Sequence, residues 1–70
     1  MKSTILKRSV VINRYKTSIS LEDIFWEDLK EYAVQHNMTV GALVASIDDK
    51  RTKGGLSSSC RIFLYEKAKR

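Results

Sequence analysis

Proline is absent from this chain, and cysteine and histidine occur once each, as Cys60 and His36. One thiol and one imidazole exclude a disulfide framework and a zinc site, so neither covalent staples nor a metal holds the fold together. A lone chain of 70 residues buries only about 60% of the surface its unfolded form exposes. With no staple, the remedy left to so short a chain is association with a second copy. No apolar run approaches the roughly 20 residues of a membrane span, and no signal-type apolar segment opens the chain. These absences point to a soluble cytoplasmic protein, and a free thiol fits a reducing compartment. Cys60 lies among apolar neighbours and reads as core.

Acidic residues are missing from positions 1–16, which hold Lys2, Lys7, Arg8, Arg14 and Lys16. Positions 17–49 reverse the sign, with seven acids against Lys30 alone, and positions 50–70 are basic again. The formal net charge is +5. Segregated charge of this kind suits a protein that meets a polyanion through one face.

Catalytic chemistry finds no foothold. The serines at 57, 58 and 59 beside Cys60 have no base at a set position, and His36 falls where a helix should end. Asp48 and Asp49 lack the further oxygen ligands of a calcium loop, and Gly54 with Gly55 makes no phosphate loop. The residues imply no enzyme, no metal and no cofactor.

What is present reads as strand, then helices, in a single domain of residues 1–70 in which no segment repeats at a fixed period. Ser9, Val10, Val11 and Ile12 form one β-prone run. From Lys16 the residues alternate, with Lys16, Ser18 and Ser20 on one face and Thr17, Ile19 and Leu21 on the other. Asn13 and Arg14 between the runs suit a turn, although Arg14 replaces the Gly that a type I′ turn favours. Residues 8–20 are thus either a hairpin or one bent ribbon.

Ser20 is a candidate N-cap with Asp23 closing a capping box, which predicts a helix over about 21–36. Leu21, Phe25, Leu29 and Ala33, flanked by Trp26 and Tyr32, form its apolar stripe. His36 and Asn37 end it, Asn37 in the left-handed position. Thr39 caps a second helix over about 40–48, with Val40, Leu43, Val44 and Ile47 at helical spacing. Its other side, Gly41, Ala42, Ala45 and Ser46, is small enough for close approach by another helix, as at a dimer centre. A polar loop at 49–55 leads to a third helix over about 57–69, capped by Ser57 or Ser58. That helix buries Leu56, Cys60, Phe63 and Leu64 and leaves Ile62 and Tyr65 for a second surface.

Strand, helix, tight turn and helix between Lys16 and Lys50 resemble the ribbon-helix-helix (Arc/MetJ/CopG-like) family of bacterial repressors and antitoxins. The run Lys16-Thr17-Ser18-Ile19-Ser20-Leu21-Glu22 is similar to its strand, and Asn37-Met38-Thr39-Val40-Gly41 to its helix-to-helix turn. The phrases Lys7-Arg8-Ser9-Val10-Val11-Ile12, Phe25-Trp26, Ala42-Leu43-Val44 and Leu56-Ser57-Ser58 before Arg61 resemble a short alphaproteobacterial subgroup with an added N-terminal strand and third helix.

The resemblance implies a mainly α fold with a short β-ribbon: an intertwined homodimer in which strands of two chains pair antiparallel, plus a C-terminal third helix able to join dimers into tetramers. It implies a transcription regulator binding double-stranded DNA, with Lys16, Ser18 and Ser20 facing bases in the major groove. Lys7, Arg8, Arg14, Thr39, Val40 and Gly41 would contact phosphates. Ile19, Leu21, Phe25, Trp26, Leu29, Leu43, Val44 and Ile47 would form the dimer core. The alternative is a protein-interaction module, an antitoxin or assembly adaptor, on the same dimer fold, since the added strand could occlude the groove-facing side.

Overall fold

A computed structural model of the chain describes residues 4–51 and 54–68. Two strands, β1 (Ile5–Ile12) and β2 (Tyr15–Glu22), precede three helices, α1 (Asp23–Gln35), α2 (Val40–Asp49) and α3 (Leu56–Ala68). The strands pair antiparallel as a hairpin, with Ile12 opposite Tyr15 and Ile5 opposite Glu22. The two residues between them, Asn13 and Arg14, have φ of 47° and 79°. Positive φ at both central positions defines the primed turn whose twist matches the strands. Arg14 accepts that conformation despite its side chain. The ribbon in the structure is therefore formed within one chain, and β1 is the antiparallel partner of β2.

Apolar aliphatic residues form the buried part of this hairpin's inner face. Val10, Ile12, Ile19 and Leu21 are buried there, and the helices close over them with Leu29, Ala33, Leu43, Val44, Ile47, Cys60 and Leu64. Of the eight residues expected in a core shared by two chains, Ile19, Leu21, Leu29, Leu43, Val44 and Ile47 are buried within one. Phe25 and Trp26 pack half-exposed at its edge.

Several boundaries differ from the sequence reading, by one to three residues. The ribbon spans residues 5–22, not 8–20, and α1 starts at Asp23 instead of 21. Ser20 is not its cap. Glu22 holds the N-cap position with no side-chain capping bond. The physical reason is tertiary: β1 reaches back to Ile5 and keeps β2 paired through Glu22, and cross-strand pairing outweighs a local cap worth about 1 kcal/mol. Ser57 does not cap α3 either. The helix begins one residue earlier, at Leu56, and the Ser57 hydroxyl turns to the sheet, where Ser20 N–H donates to its Oγ at 2.8 Å. The expected last residue of that helix, position 69, lies outside the described residues.

The α1 to α2 connection follows its chemistry. Asn37 has φ of 56°, its N–H donates to the Val34 carbonyl at 3.1 Å, and Met38 N–H donates to the Ala33 carbonyl at 2.8 Å. That pair of bonds is a Schellman termination around a left-handed residue. His36 is the C-cap, stacked on Tyr32 with ring centroids 4.1 Å apart. Thr39 caps α2, its Oγ1 accepting from Ala42 N–H at 3.0 Å.

Candidate nucleic-acid interface

Register fixes which side chains share the hairpin's outer face. Residues directly opposite one another lie on the same side of a sheet, and alternate pairs share it. Lys7 faces Ser20, Ser9 faces Ser18, and Val11 faces Lys16. With the inner face buried, these three pairs look outward. Lys7, Ser9, Val11, Lys16 and Ser18 are exposed, and Ser20 is half-buried. Ser20 is less open because α3 lies along this end of β2: besides the Ser57 bond, the Arg61 guanidinium donates to the Ser20 carbonyl at 3.1 Å.

Neither Lys7 nor Lys16 has an ion pair among the described residues. The one acid on this face is Glu22, opposite Ile5 at the far end, and Arg61 pairs with it at 3.0 Å. A hydrogen bond from its own backbone N–H, with Arg61 adding to it, holds the Glu22 carboxyl below its ordinary range against the opposing effect of burial. Asp23, Glu27, Asp28 and Glu31 are exposed on α1, which packs under the sheet rather than on its outer face. The face thus offers two ammonium groups and a cluster of hydroxyls with no unpaired carboxylate among its six central residues. This is a donor-rich surface about as wide as the two-stranded ribbons that fit a major groove.

The expected phosphate contacts are placed unevenly. Arg14 is exposed at the hairpin tip and Lys7 on the outer face. Arg8 is on the inner side. Its guanidinium donates to the Leu21 carbonyl at 3.2 Å, pairs with Asp23 and lies 5.4 Å from the centroid of a Trp26 ring, with its side chain only 15% exposed. An arginine so engaged is a clasp between ribbon and α1. The reason is parity: position 8 shares a face with buried Val10 and Ile12. Thr39, Val40 and Gly41 begin α2 against the edge of β1. A Cβ built on Gly41 would fall 2.2 Å from the Val11 carbonyl oxygen, so the glycine there serves the approach of helix to strand.

Sequence reasoning missed Ser9. The signal was its alternation, since Lys7, Ser9 and Val11 follow the same parity in β1 as Lys16, Ser18 and Ser20 in β2. Cys60 is fully buried, and that burial, with Asp48 adding and Arg61 opposing, pushes its thiol up to about 11, which makes it a poor nucleophile. Among the described residues no group of three or more His, Cys, Asp or Glu is placed to hold a metal ion, and no helix is long and apolar enough to cross a membrane.

A family model described as a ribbon-helix-helix domain matches residues 5–68. Searches of curated proteins and of solved structures give no significant match.

Proposed function

The chain belongs to the ribbon-helix-helix family, a DNA-binding, regulatory and generally non-enzymatic fold whose members typically bind DNA as dimers, and from that premise we propose that it is a sequence-specific, repressor-like transcription regulator. The outer face of its ribbon enters the major groove of duplex DNA. The observation that carries this reading is the exposed basic and hydroxyl face described above, opposite an acidic α1. Lys16 donates to guanine O6 and N7, and Ser18 donates or accepts at a neighbouring base edge. Arg14, exposed at the hairpin tip, adds charge toward the backbone, which makes affinity fall with rising salt.

The test is selection of bound fragments from genomic DNA, followed by titration of the selected duplex and a scrambled one across a salt series. The selected duplex should bind more tightly at every salt concentration. Lys16→Ala should weaken specific binding by about 1–3 kcal/mol, the worth of one good base contact, with the helical circular dichroism unchanged. Equal binding to both duplexes would overturn the sequence-specific reading. A second reading, a protein-interaction module, draws on Ile62 and Tyr65, which are 58% and 62% exposed on α3 beside Phe25 of α1. Co-purification of a stoichiometric protein partner, with no DNA selected, would favour it.

A further inference from the structure

The hairpin has a hidden two-fold relation. Lys7, Ser9, Val10 and Ile12 each lie nine positions before a residue of like kind, namely Lys16, Ser18, Ile19 and Leu21. Such an offset would be incidental if the pairing register ignored it. In the observed register Lys7 faces Ser20 and Lys16 faces Val11, while Ser9 faces Ser18. A shift by nine therefore carries the first of these pairs onto the second and exchanges the two serines. The strands are related by an approximate two-fold axis through the Ser9–Ser18 pair, perpendicular to the sheet, and the two lysines stand diagonally on either side of it. Their Cα atoms are separated along the ribbon by about four residues, roughly 13 Å.

The relation extends to what closes the ribbon's edges. In a two-residue hairpin Ile12 and Tyr15 form a hydrogen-bonded pair, and such pairs alternate along the ladder. The backbones of Val11 in β1 and Ser20 in β2 therefore point away from the partner strand, toward opposite edges. Val11 and Ser20 are again nine positions apart, and each edge is met there by the start of a helix. Gly41 of α2 abuts the Val11 carbonyl, and Ser57 and Arg61 of α3 bind the Ser20 N–H and carbonyl. A second chain adding its own strand to β2 would have to displace both α3 contacts.

We propose that one chain supplies a complete two-stranded reading ribbon, with β1 in the place of a strand from a second chain, so that Lys7 and Ser9 contact bases as the two-fold counterparts of Lys16 and Ser18. The DNA contact rests on the function proposed above; the intrachain pairing does not. A dimer of this chain then carries two ribbons instead of sharing one, and a single chain contacts a short, nearly palindromic element.

Two measurements test it. In the first, Ser9→Cys/Ser18→Cys and the single Ser18→Cys variant are treated with oxidised glutathione at neutral pH and analysed by non-reducing mass spectrometry; buried Cys60 stays out of the exchange. The double variant should form a disulfide within one chain, because cross-strand residues not joined by backbone hydrogen bonds come close enough to bridge. The single variant should give no rapid disulfide-linked dimer. Fast dimer formation by the single variant would place two β2 strands side by side and overturn the proposal. In the second, Lys7→Ala and Lys16→Ala are compared on the selected duplex. Each should lose about tenfold in affinity. Loss with Lys16→Ala and none with Lys7→Ala would remove β1 from the reading face, while a protein that selects no DNA would sink the DNA contact and leave the disulfide result to judge the intrachain ribbon.

Discussion

Adding a single carbon at Gly41 brings a Cβ within 2.2 Å of the Val11 carbonyl oxygen, a separation that backbone against backbone does not tolerate. Helix α2 would have to withdraw from β1. Gly41→Ala is thus expected to destabilise the protein by about 1–3 kcal/mol, as overpacking does in a fitted core, even though alanine is the better helix former. Urea unfolding checks it, and an unchanged or higher midpoint would mean that α2 does not lie on β1. Gly41 was read as small so that another helix or a phosphate could come close; the group that approaches it in the structure is the chain's own strand. Arg8 teaches the same lesson. Its charge was legible, but its parity with Val10 and Ile12, which turns it inward to Asp23 and Leu21, depended on where β1 begins and which face is covered.

Among the elements, the hairpin carries the most information. Asn13 and Arg14 both occupy left-handed backbone, which is costly for a residue with a Cβ other than Asn or Asp. Replacing the second with glycine removes that cost. Arg14→Gly should raise stability by roughly 1 kcal/mol without shifting the register, as measured by denaturant midpoint and by the cross-strand amide contacts in nuclear Overhauser spectra. A drop in stability would mean that the Arg14 side chain itself holds the turn. The helices were legible because their signals are local: Thr39 caps α2 as its sequence predicts, and Asn37 ends the α1 turn in the left-handed region. The start of α1 was not, because a strand and a helix compete for Leu21 and Glu22, and only the presence of a paired β1 decides between them.

Across the molecule, Arg61 ties α3 to β2 through Glu22 and Ser20, joining the C-terminal helix to the ribbon. The Glu22 carboxyl is held below its ordinary value of 4.5 by its backbone N–H and then by Arg61. A carboxyl depressed in the folded state stabilises above its unfolded pKa and loses that contribution as pH falls through the folded value. The stability difference between the wild type and Glu22→Gln should therefore be fully present near pH 7 and shrink progressively below pH 4.5. Paired urea titrations at pH 7 and pH 3 read this directly, and a difference that stays constant would show that the carboxylate charge does not join α3 to the sheet.

Alternation, helical spacing and turn chemistry were enough to identify a β-ribbon followed by three helices, the buried stripe of each helix and the outward parity of Lys16, Ser18 and Ser20, but not whether the ribbon was a hairpin or one bent strand. These are properties of neighbours within a few residues, where the period of the backbone alone assigns a face. The partner of β2 was a different matter. A strand with one apolar face can pair with its own chain or with another, and alternation is the same in both cases. That choice was made by the two-residue turn at Asn13 and Arg14 together with α2 and α3 closing the ribbon's edges at Val11 and Ser20, contacts between residues as far apart as 20 and 61. It settled which serine faces Ser18 and which lysine balances Lys16.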